Sequence, residues 1–143
     1  MIHTTLQALA TAATAALSFP VRPGFNAEAT SKEQVWLTAT ATPMFAAANG
    51  QTAGWNMAIT VTAATFGQAV TDGSGASIGD ATGARRAAML AAFVSWLKTN
   101  FASVTVSGCT LHGVCDESPQ GSQLIGEEYV GDITVISLAV STT

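Results

Sequence analysis

From Gly54 onward the chain alternates without a break: Trp55, Met57, Ile59, Val61 and Ala63 fall on one side, Asn56, Ala58, Thr60, Thr62 and Ala64 on the other. A period of two marks an extended strand, because successive side chains point to opposite faces of a sheet. Residues 54–65 therefore demand a sheet and an apolar layer to cover one side of it. A second run, 34–42, sets Val35, Leu37, Ala39 and Ala41 against Trp36, Thr38, Thr40 and Thr42, and Pro43 ends it or places it at an edge. Asn49-Gly50 between the two runs supplies the turn chemistry of a hairpin.

The covering layer has two sources. Residues 4–17 place Leu6, Leu9, Ala10, Ala13 and Leu17 at helical spacing, before Phe19-Pro20 and Arg22-Pro23-Gly24 break the pattern. Residues 84–100 carry one stripe of Met89, Leu90, Phe93 and Leu97 and another of Ala88, Ala92 and Trp96, with Asp80 or Thr82 as N-cap. Two stripes predict a helix covered on more than one side. Residues 102–106 and 109–114 read as short strands joined at Ser107-Gly108, and 129–141 as a long final strand.

Two segments have no such periodicity. Residues 66–83 form a long Gly-rich loop containing Asp72-Gly73-Ser74-Gly75, a length that tends to mark a functional or partner-ordered element. Residues 116–128 hold Asp116, Glu117, Glu127 and Glu128, interrupted by Pro119 and Gly121, and read as a projecting acidic loop. The 143 residues then make one α+β domain spanning 1–143, an antiparallel sheet flanked by two helices.

Charged residues are 10% of the chain, against about 25% in an ordinary globular protein. Disorder does not explain the deficit, since disordered chains are rich in charge and poor in apolar residues, and 48% of this one is hydrophobic. A surface made largely of Ala and Thr marks a subunit that meets a partner. The net charge of −4 does not attract nucleic-acid phosphates. Of the basic residues Arg22, Lys32, Arg85, Arg86 and Lys98, only Arg85 and Arg86 are adjacent, too small a cluster for a phosphate-tracking groove. They are expected to form an inter-subunit salt bridge with Asp132 or Glu128, and Asp72, Gly73 and Trp96 are further candidate contact residues. No signal peptide is recognised, and the most apolar stretch, 87–97, is too short to span a bilayer, so a protein without membrane contact, made in the cytoplasm, is expected.

The chemical inventory is sparse. Cys109, His112 and Cys115 have a spacing that suggests metal, but on a strand the cysteines share one face with Leu111 and Gly113 while His112 points to the other, and no fourth ligand is evident. Neither a metal nor a cofactor is expected, and the cysteines are expected to stay reduced. The adjacent carboxylates Asp116-Glu117 and Glu127-Glu128 point apart on an extended chain. No nucleophile elbow, phosphate loop or dinucleotide fingerprint occurs, and neither His3 nor His112 is placed as a general base. The chain reads as a non-enzyme; a small enzyme or ligand-binding domain with its site under the 66–83 loop is the contrasting reading.

Three segments, Gly83-Ala84-Arg85-Arg86-Ala87-Ala88-Met89-Leu90, Leu111-His112-Gly113-Val114 and Asp132-Ile133-Thr134-Val135-Ile136-Ser137-Leu138-Ala139-Val140, together with the order of elements over most of the chain, resemble the tail-terminator and head-tail joining proteins of long-tailed phages. The resemblance implies a small α+β subunit of the virion that forms a six-membered ring capping the tail tube, offers a surface to the filled head, and contacts tail-tube and neck proteins. DNA would pass through the lumen without sequence-specific binding. A tail-tube or neck subunit is the neighbouring alternative, since these combine similar elements.

Overall fold

The computed structural model describes residues 1–24, 33–46, 50, 52–66, 83–115, 117–125 and 129–142. Most of the 66–83 loop, with Asp72 and Gly73, lies outside the described residues, as do Glu128, Asp116 and both proposed caps, Asp80 and Thr82. The elements run α1 (Ile2–Ala16), β1 (Val21–Arg22), β2 (Glu33–Ala46), β3 (Thr52–Phe66), α2 (Gly83–Asn100), a 3-10 turn (Phe101–Ser103), β4 (Cys109–Val114), β5 (Ser118–Ile125) and β6 (Tyr129–Thr142). The class is α+β.

The sheet is ordered β1-β2-β3-β6-β4, and β5 pairs with β6 beside β4. β2, β3 and β6 form a long antiparallel ladder, Leu37 opposite Val61 and Ile59 opposite Ile136. β1 corrects the expectation of a purely antiparallel sheet: it lies parallel to β2, with Val21 beside Val35, so the sheet is mixed. Its position follows from α1, whose Thr14 hydroxyl accepts the Val21 N–H at 2.9 Å and donates to the Val21 carbonyl at 3.0 Å. That exchange turns the chain back after the helix and lays two residues along the edge of β2.

Both helices pack on one face of the sheet. The alternating residues Val35, Leu37, Met57, Ile59, Val61, Ile136, Leu138 and Val140 meet Leu6, Leu9, Ala10 and Ala13 of α1 and Met89, Phe93, Val94 and Leu97 of α2 in one core. Of the stripe expected on α2, Met89, Phe93 and Leu97 are buried and Val94 joins them, while Leu90 is partly buried; of the second stripe, Ala92 and Trp96 are partly buried and Ala88 is exposed. Each of the larger apolar side chains contributes about 1.5–3 kcal/mol on burial; the alanines of α1 contribute closeness instead.

Two local expectations are corrected. Residues 102–106 are not a strand: α2 tightens into the 3-10 turn, fastened by the Asn100 amide donating to the Trp96 carbonyl at 2.9 Å and the Ser103 hydroxyl donating to the Asn100 carbonyl at 2.8 Å. Only Val106 forms an isolated bridge, with Cys109. Nor is 116–128 a projecting loop throughout, since Ser118–Ile125 is a strand antiparallel to β6, with a register shift between Pro119 and Gly121 where Gly121 takes φ +90°. β4 and β5 lie end to end along β6, bridged by the Cys115 N–H donating to the Ser137 carbonyl at 2.9 Å.

On the opposite face a small cluster forms where Trp36, Ala64 and Tyr129 pack with Ile125. Gly131 is required here: a Cβ at this position would stand 2.9 Å from Thr62 Cγ2 and 3.1 Å from Ile125 Cγ1. Gly131→Ala is expected to cost about 1–3 kcal/mol, as other overpacked sites do, read from the urea midpoint. A wild-type midpoint would mean that Thr62 and Ile125 yield freely.

Candidate interaction surface

Arg86 is buried in the first turn of α2, an unfavourable place for a cation because the helix N-terminus is itself positive. Asp132 answers it. The register that sets Asp132 opposite Ala63 turns its carboxylate toward the helices, where it accepts from Arg86 Nε at 3.0 Å and from the Ser122 hydroxyl at 2.6 Å. A second guanidinium nitrogen donates to Thr65 Oγ1 at 3.0 Å. α2, β3, β5 and β6 are thus tied together by one polar cluster at the end of the apolar core.

Arg85, one residue earlier, points outward and forms a forked pair with Glu33 at the start of β2, at 2.7 and 2.9 Å, with its guanidinium 5.7 Å from the Phe19 ring centre. The sequence joined Arg85 and Arg86 to Asp132 or Glu128 across an interface; the structure pairs Arg86 with Asp132 within one chain, and gives Arg85 to Glu33, which the sequence did not single out. Trp96 lies half-buried beside Phe93, ring centres 6.0 Å apart.

The hydrogen bonds from Arg85 hold Glu33 below the ordinary glutamate value of 4.5 against the opposing effect of burial, and the Arg85 charge adds a smaller lowering. A depressed carboxylate pKa stabilises the fold above the unfolded value, and that contribution fades as pH falls through the folded value. The pair is partly exposed, so it is worth less than about 1 kcal/mol. Glu33→Gln should therefore lower stability slightly at neutral pH, and the difference should shrink with acidification; a gap that widens toward acid would contradict the assignment.

His112 lies on the face away from the helices, its Nε2 2.6 Å from Ser141 Oγ. A register shift between Leu111 and Gly113 moves Gly113 opposite Ala139, so Gly113 leaves the face it was expected to share with Cys109 and Leu111. Cys109 and Cys115 are free thiols, and no group of three or more His, Cys, Asp or Glu among the described residues could hold a metal ion. A groove of about 500 Å³ runs between α1 and the turn before β4, lined by Thr4, Gln7, Thr11, Ser103 and their neighbours, with no ionisable side chain. Among the described residues no helix is long and apolar enough to cross a membrane.

The broadest feature is the sheet face that neither helix covers. Beyond the Trp36 cluster it presents Thr38, Thr40 and Thr42 of β2, Asn56, Ala58 and Thr60 of β3, and Val135, Ser137 and Ala139 of β6. None of these is charged, and the sequence has no charged residue between Glu33 and Asp72. No family model and no curated protein matches the chain.

Proposed function

We propose that the chain is a structural subunit of a virion ring, a tail terminator or head-tail joining protein of a long-tailed phage, rather than an enzyme. The observation that carries this reading is the broad sheet face left open by both helices, uncharged beyond Arg22 at its β1 edge. One solvated face is common in antiparallel sheets, but the scarcity of charge on this one suits a ring subunit, which buries surface against two neighbours. The negative total charge suits a lumen through which DNA slides without being held.

Native mass spectrometry over a concentration series tests the reading. A closed ring of six, alone or as an associated pair of rings, is expected and favours the terminator. Open-ended polymers would favour the tail-tube alternative, and a chain that stays monomeric even with isolated tails added would overturn both.

A further inference from the structure

Among the described residues, nothing pairs with the edge of β2 beyond β1. The Val35 N–H donates to the Pro20 carbonyl at 3.0 Å, so the backbone groups of Val35 point away from β3. Pairing between β2 and β3 is unbroken from Glu33 to Pro43, and groups on an antiparallel strand alternate in direction. Ala39, Ala41 and Pro43 therefore also point outward, and β1 has ended at Arg22. None of the described residues bonds the N–H and C=O groups of Ala39 and Ala41.

Sheet edges of this kind are normally guarded by charge, bulges or proline. The opposite edge has such guards: register shifts in both β4 and β5, Pro119, and Gly121 at positive φ. On the β2 edge the guards among the described residues, Pro43 and the register shifts that follow it as far as Ala46, sit at the far end, where Met44 is 58% exposed.

We propose that this edge pairs with the same edge of a second copy, antiparallel about a two-fold axis at Thr40. The sequence is self-complementary in that register. Ala39 of each copy faces Ala41 of the other, and each such pair can exchange both of its outward N–H···O bonds. Thr40 faces Thr40 and Thr38 faces Thr42 on the open face, where Thr–Thr pairs are favourable and no like charges oppose. Leu37 faces Pro43, whose missing N–H ends the ladder. A second copy fits better than a charged partner because nothing on this strand from Gln34 to Met44 carries charge. The pairing is isologous and does not depend on the ring, which needs a heterologous contact.

The test places charge at the axis. Thr40 is exposed, so Thr40→Lys and Thr40→Glu are compatible with the folded subunit. In native mass spectrometry over a concentration series the wild-type chain should pair, and each variant alone should pair at least about tenfold more weakly, because like charges meet across the axis. Mixing the two variants should restore pairing, which also shows that both are folded. A wild-type chain monomeric throughout, or an assembly that neither substitution changes, overturns the proposal. A hexamer that persists unchanged in T40K overturns this pairing and leaves the ring. Dimers lost in T40K, with no ring at any concentration, support the pairing and remove the ring. A twelve-membered species that falls to six in T40K supports both.

Discussion

Asp132→Ala should lower the unfolding free energy by about 3 kcal/mol, the lower part of the range for breaking a buried ion pair. The Arg86 guanidinium, only 5% exposed, would lose its carboxylate, whereas Asp132 itself is 21% exposed and already reached by water. The loss thus comes from stranding the cation. Arg86→Met combined with Asp132→Leu should recover most of it, because an apolar pair of similar volume avoids desolvating either charge. Urea titration of the two proteins separates the cases. A single substitution costing under about 1 kcal/mol would show that Thr65 and solvent suffice for Arg86.

Phe93→Ala should cost about as much or more, roughly 3–5 kcal/mol, as large-to-small changes at fully buried aromatics do. Phe93 has no exposed surface and sits at the middle of α2. For a chain of this size that corresponds to a fall in Tm of roughly 10 °C or more. Trp96→Ala should cost less despite the larger ring, because Trp96 is half-buried. A reversed order in thermal melts would place the centre of the α2 contact one turn away from where the packing puts it.

The long ladder was legible because burial on a single face writes itself as alternation. Val35, Leu37, Met57, Ile59 and Val61 all lie toward the helices, and the parity of each run alone predicted it. β5 was not legible. Its Ser118-Pro119-Gln120-Gly121 has neither alternation nor β propensity, and it is a strand because β6 offers an unpaired edge alongside. β1 was missed for a similar reason, being two residues held by a threonine hydroxyl from another element. Val104 and Val106 suggested a strand, but the Asn100 and Ser103 side chains hold the chain in a turn.

The charge cluster was half legible. That Arg85 and Arg86 should meet an acidic residue, Asp132 or Glu128, followed from the scarcity of charge; which arginine meets which carboxylate did not. That Arg86 and Asp132 meet inside one chain depends on the β3–β6 register, which places Asp132 beside Ala63 beneath the first turn of α2. No local pattern encodes that register.

The same β3–β6 ladder bears on how the chain folds. Its two flanking pairings, β2 with β3 and β5 with β6, join neighbours in sequence and can close within microseconds. Joining β3 to β6 brings Gly54 to Ser141, with α2 and the whole of β4 and β5 inside the loop being closed. Loop-closure entropy is lost there before any core contact repays it. Two hairpins are therefore expected to form first, with the docking of one on the other setting the refolding rate.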